Sequence, residues 1–211
     1  MEYLDLSPYE YLASPIPMRS LGWLGRGNGN QAEGRTVMTD IDIENFCAAS
    51  SRVANLTLGF HECEFCPPES AFRGNGEYHY YLSGGDVFAA PVMILHYLQE
   101  HDYRLPEEFR EGWDATATLF WDGRAERLCE VLADDSQDAD FRCLAITDLP
   151  HWRDYRAFRA LALAIQDEEL VETVGYEIGR SLTAYMSCDF AAEFNPSNLP
   201  DIVKFGMGLI P

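Results

Sequence analysis

His61-Glu62-Cys63-Glu64-Phe65-Cys66-Pro67-Pro68 is the stretch on which the reading of this chain turns. Three soft or borderline metal ligands, His61, Cys63 and Cys66, fall within six positions, and two prolines close the segment. Cys63 and Cys66 form a C-x-x-C step, a spacing at which a tight turn aims two thiolates at one point. Residues two apart on a strand face the same side, so a strand entering the turn would set His61 beside both sulfurs. Such a turn reads as a metal knuckle inside a small α+β module.

A structural zinc site takes four ligands, usually Cys and His, in a tetrahedron. His96 is the first choice for the fourth. It lies in an expected helix from Pro91 to His101, between Leu95 and Tyr97, where an unpaired imidazole would be an odd core residue. His101 falls about 140° around that helix from His96 and reads instead as a partner for end carbonyls. His79, on an expected strand, is a third alternative. The expected site is therefore His61, Cys63, Cys66 and His96, with His101 or His79 as replacements for His96. Mixed nitrogen and sulfur donors favour zinc over iron.

The opposing reading is two buried thiols beside a hydrogen-bonded histidine. A redox C-x-x-C is disfavoured, because Glu62 and Glu64 would raise the thiol pKa. A zinc deaminase needs a Glu two residues after its His, and Cys63 holds that position. His61-Glu62 lacks the second His of the H-E-x-x-H metalloproteases. The glycines at 25–34 come without the lysine of a phosphate-binding loop.

The chain has 211 residues and a net charge of −20, with Lys204 its only lysine. Acidic and basic residues number 17 and 7 through Gly112, then 18 and 8 beyond it, so neither half is an acidic tail. Such a field repels a nucleic-acid backbone and attracts a basic protein. No run approaches the roughly 20 apolar residues of a membrane helix. The acidic, aromatic opening MEYLDLSPYEYL has no basic region ahead of an apolar stretch, so a cytoplasmic location is expected. In that compartment six cysteines read as thiols or ligands; Cys47, Cys129, Cys143 and Cys188 read as small buried hydrophobes.

Organisation changes near residue 112. Residues 1–112 carry short segments broken by Gly and Pro: a loop at Arg26–Gly34, a helix capped at Thr39-Asp40, and a strand at Val53–Phe60. A second strand at Glu77–Leu82 turns at Gly84-Gly85, and a short helix opens at Pro106. Residues 113–211 read as helical hairpins: Asp122–Leu132, Asp140–Leu149, Tyr155–Ile165, a long helix capped by Asp167, and a last one to Met207. Gly175 and Gly179 would let a neighbouring helix come close. Phe141–Ile146 and Phe158–Leu163 share FR-x-L-A, which suggests a short HEAT-like array. The expected architecture is an α+β module packed on an all-α hairpin module.

Several pieces carry a resemblance to a family: Asp5–Tyr11 (DLSPYEY), Leu21–Leu24 (LGWL), Asn55-Leu56-Thr57 and Gly59–Cys66 (GFHECEFC). Ala89-Ala90-Pro91, His96-Tyr97, His101-Asp102-Tyr103 and Pro106–Phe109 continue the line. Over about 110 residues the chain resembles an uncharacterised family of small bacterial proteins found largely in actinomycetes. The resemblance implies no activity, but it implies that His61, Cys63, Cys66, His96 and His101 share one neighbourhood. The later part has the general look of helical-repeat bacterial proteins, including acidic immunity proteins that neutralise toxins. A protein that binds and inhibits a basic partner such as a toxin is the leading expectation, with neither nucleic acid nor membrane as a partner. An enzyme with water on an open zinc, or a structural subunit of an assembly, are the alternatives.

Overall fold

The tyrosine-rich stretch Glu77–Tyr81 is a strand in the computed structural model of the chain, which describes residues 2–27, 38–57, 59–114 and 118–211. The chain forms two compact units. One comprises Met1–Leu12 and Pro17–Ala117, the other Ala13–Ile16 and Thr118–Pro211. The first is α+β and the second all-α.

In the first unit the sheet has the order β1-β5-β4, from β1 (Arg19–Ser20), β4 (Glu77–Tyr81) and β5 (Val87–Pro91). A separate two-stranded ladder joins β2 (His61–Glu62) to β3 (Arg73–Gly74). β4 and β5 run antiparallel from Glu77 opposite Pro91 to Tyr81 opposite Val87, and β1 runs parallel to β5. The turn between β4 and β5 falls where Gly84-Gly85 predicts it. Gly85 takes φ +108°, a conformation glycine adopts without steric penalty. All five residues of β4 and of β5 are buried, so aromatic and small apolar side chains are used on both faces.

Pro91 does not start a helix. It ends β5, where the ladder needs no further N–H, and α2 (Ile94–Glu100) begins three residues later. The described residues of the Val53–Phe60 stretch form no strand either, and Leu58 lies outside them. Asn55 bridges to Glu77 as an isolated pair, and Thr57 donates from its N–H and its hydroxyl to Asn75 Oδ1. Leu56 and Phe60 are exposed. The expected loop at Arg26–Gly34 lies outside the described residues from Asn28 onward.

α1 (Asp40–Ala49) starts as the sequence predicts. Thr39 accepts from the Asp42 N–H, and Asp42 Oδ2 accepts from the Thr39 N–H. This reciprocal pair satisfies two donors that a helix start otherwise leaves open. Fully buried Phe46 stacks on Tyr80 at 4.9 Å and meets the edge of Phe109, which belongs to α3 (Glu107–Gly112). The same strand as Tyr80, β4, carries a polar knot. Tyr9 Oη donates to Glu77 Oε2 at 2.6 Å, Asn55 Nδ2 donates to Oε1 at 3.3 Å, and His79 Nε2 lies 3.5 Å from Oε1.

The second unit contains α4 (Gly123–Ala133), α5 (Ala139–Asp148), α6 (Tyr155–Ala164), α7 (Glu168–Thr183) and α8 (Asp201–Gly206). Its core holds Leu128, Ile146, Trp152, Leu161, Ile178 and Tyr185. Gly175 and Gly179 act as the sequence predicts. A Cβ at Gly179 would collide with the Val203 backbone of α8, and one at Gly175 with Ile202. The shared FR-x-L-A does not make α5 and α6 equivalent repeats. Arg142 is buried, donating to Leu132 O and to Asp167, whereas Arg159 is exposed. All six cysteines are free thiols. Cys47, Cys129, Cys143 and Cys188 are half-buried rather than core residues. Among the described residues no helix is long and apolar enough to cross a membrane.

Four successive helices, α4 to α7, are capped by aspartates: Asp122, Asp138, Asp154 and Asp167. At Asp167 the Leu170 N–H, then the Arg142 guanidinium, holds the carboxyl below its ordinary range. The Arg156 guanidinium does the same at Asp154. At Asp122 burial pushes upward, but the Arg124 side chain and N–H outweigh it. A depressed folded-state pKa gives stability that is present above the unfolded value and lost as pH falls through the folded one. Asp167→Ala is therefore expected to destabilise the protein by about 1 kcal/mol at pH 7. That difference from wild type, read in urea melts, closes as pH drops below about 4. A difference that stays constant to pH 2 would rule out the charged cap as its source.

Candidate metal centre

The ladder of β2 and β3 fixes where the knuckle begins. His61 lies opposite Gly74 and Glu62 opposite Arg73, and the Cys63 N–H donates to Phe72 O at 2.8 Å. The strand stops at Glu62, and the chain loops through a single 3-10 turn, Pro68–Ser70, before returning as β3. In that loop the Phe65 and Cys66 N–H groups point at Cys63 Sγ. Burial pushes the Cys63 thiol up, and these two backbone donors partly offset it. Amides aimed at one sulfur stabilise its thiolate form, which is the form that ligates a metal.

The other half of the site comes from α2. His96 is buried on that helix, and its imidazole stacks on Phe72 at 4.6 Å and 11°. Burial, followed by the nearby His101, lowers the His96 pKa and favours the neutral ring that a metal requires. His101 does not continue the helix. As its C-cap it takes φ −129°, and Asp102 follows in the left-handed region at φ +50°. The chain therefore turns back, and His101 Nε2 comes within 3.0 Å of His96 Nε2. The 140° separation expected from helical periodicity applies only within a helix, and α2 has already ended.

The structure thus gathers Cys63, Cys66, His96 and His101. Their ligand atoms all lie within 4.8 Å of one another. His101 Nε2 is 3.2 Å from Cys63 Sγ and 3.3 Å from Cys66 Sγ, and His96 Nε2 is 3.3 Å from Cys66 Sγ. Four donors in a tetrahedron about 2.0–2.3 Å from one ion would stand about 3.3–3.8 Å apart. The observed separations are close to that without rearrangement of the backbone. Two sulfurs and two nitrogens form a donor set that suits a metal ion, and the quartet could hold one.

His61 is a correction to the sequence reading. It is not among the four residues whose ligand atoms converge. His61 is half-buried and lines a small cavity of about 40 Å³ with Trp23, Met93 and Tyr97. His79 lies elsewhere, buried beside Glu77 on β4. The structure brings Cys63, Cys66 and His96 together with His101. The missed signal is Asp102, one of the few residue types that tolerates the left-handed turn ending a helix.

One side of the quartet faces outward. Cys66, His96 and His101 line a broad cleft of about 730 Å³ together with Phe72, Arg73 and Glu100. Cys63 is on the inner side, 3% exposed. No curated protein and no solved structure matches the chain. Residues 1–114, which hold every strand among the described residues and all four members of the quartet, match the family described as Domain of unknown function (DUF7919), and the chain belongs to that family.

Proposed function

We propose that this chain is an acidic binding protein, of the inhibitory kind represented by immunity proteins and antitoxins, with a structural zinc at Cys63, Cys66, His96 and His101. The observation that carries the metal reading is the convergence of four donors. Catalytic zinc sites keep three protein ligands and leave a position for water, whereas structural sites fill all four. Zinc suits a set of two thiolates and two imidazoles, since thiolates disfavour magnesium and calcium. Six free thiols fit a reducing, cytoplasmic setting.

The partner reading rests on the charge of −20, carried in both halves of the chain. Such a field speeds encounter with a basic protein and hinders encounter with nucleic acid. Co-expression with the product of the adjacent gene, followed by stopped-flow association, tests it. The expected result is a complex whose association rate falls about tenfold or more between 50 and 500 mM salt. Absence of a complex, or a rate indifferent to salt, would remove the inhibitory reading and leave the metal reading untouched. A zinc enzyme is the second reading, favoured by the cleft that Cys66, His96 and His101 line.

A further inference from the structure

The quartet is asymmetric in a way that bears on its chemistry. Cys66 is half-buried and lines the open cleft, while Cys63 is buried behind it. The two sulfurs are three residues apart in sequence and within 4.8 Å in space. Both lie on one loop that carries no helix or strand between Cys63 and Phe72 beyond a single 3-10 turn, so it can close further without breaking a ladder. The remaining cysteines are each on or beside helices and are not part of any such cluster among the described residues.

We infer that Cys66 is an oxidant-reactive thiolate, and that hydrogen peroxide converts the Cys63–Cys66 pair to a disulfide that opens the metal centre. This rests on the zinc reading above, since metal coordination keeps both sulfurs deprotonated at neutral pH. The Cys66 thiolate, reached through the cleft, attacks the peroxide O–O bond. It becomes a sulfenic acid and hydroxide leaves. The Cys63 thiolate then attacks Cys66 Sγ, the S–S bond forms, and a second hydroxide leaves. The two sulfurs together give up two electrons, and the peroxide takes up both. His96 and His101 alone are half of the four ligands that a structural zinc requires. The metal is then lost, and the 63–72 loop is released from the end of α2.

The test uses the full chain, first assayed for zinc and then exposed to hydrogen peroxide. Released zinc is followed with a colorimetric chelator, and Cys63–Cys66 pairing by peptide mass spectrometry. The expected result is one zinc released per disulfide formed, with recovery after reductant and zinc are added. A sulfenic-acid trap should mark Cys66 before Cys63 in the wild-type protein, so no variant has to fold. Zinc retained under peroxide, or lost while Cys63 and Cys66 stay reduced, would overturn the switch and leave the metal centre standing. A chain that takes up no zinc at all would overturn both.

Discussion

If the quartet holds zinc as proposed, replacing Cys63 with serine is expected to abolish zinc binding. Second-sphere partners of metal ligands are worth about 10–100-fold in affinity, so a lost thiolate should exceed a hundredfold. A bound ligand stabilises a fold by about 4 kcal/mol at a thousand times its dissociation constant, and that contribution disappears with the metal. Cys66→Ser, His96→Ala and His101→Ala should behave alike, because each removes one of four donors that converge on a single point. His61→Ala should keep a full equivalent of zinc, since His61 lines a different cavity. Chelator treatment of the wild type should reproduce the denaturant midpoint of Cys63→Ser. Zinc loss in His61→Ala together with retention in His101→Ala would restore the assignment that the sequence alone suggests.

Glu77→Ala is expected to be the most damaging change away from the metal. Glu77 is 1% exposed, and its carboxyl group receives the Tyr9 hydroxyl and the Asn55 amide, with His79 at 3.5 Å. Truncation would remove the acceptor of both half-buried donors, and a donor left without an acceptor away from water costs about 1–3 kcal/mol. The total expected is about 3–5 kcal/mol, in the range for breaking a buried polar pair from one side. Glu77 also joins three separate stretches. Its N–H donates to Asn55 O, its carbonyl accepts from Ala54, and its side chain holds Tyr9 of the N-terminal segment. Tyr9→Phe removes one bond only and should cost about 1–2 kcal/mol. Burial and the neighbouring Glu77 raise the Tyr9 phenol pKa, so the phenol remains a donor across the working pH range. A Glu77→Ala variant within 1 kcal/mol of Tyr9→Phe would show that the knot is not a cooperative unit.

Much of this was legible in residue patterns that act locally. The C-x-x-C step and a histidine in an apolar helix pointed to Cys63, Cys66 and His96 because turn geometry and burial are short-range properties. Thr39 and Asp167 were readable as caps for the same reason, since each bonds to an N–H three residues on. His101 was misread because periodicity was carried one residue past the end of α2, where Asp102 turns the chain. β5 was missed because Val87–Pro91 is a short continuous apolar run, which period alone does not separate from a helix start. β1 is two residues long and pairs in parallel with a strand almost 70 positions away, which leaves no local signature. The FR-x-L-A echo shows the converse: similar sequence with opposite burial of Arg142 and Arg159, because tertiary packing decides which helical face turns inward.

Zinc-edge X-ray absorption on the purified wild-type chain bears most directly on the metal centre. Four protein donors should give one zinc per chain with two sulfurs at about 2.3 Å and two nitrogens at about 2.0 Å. A chain without metal, or one whose zinc shows three protein donors and an oxygen, would contradict the closed Cys63–Cys66–His96–His101 site.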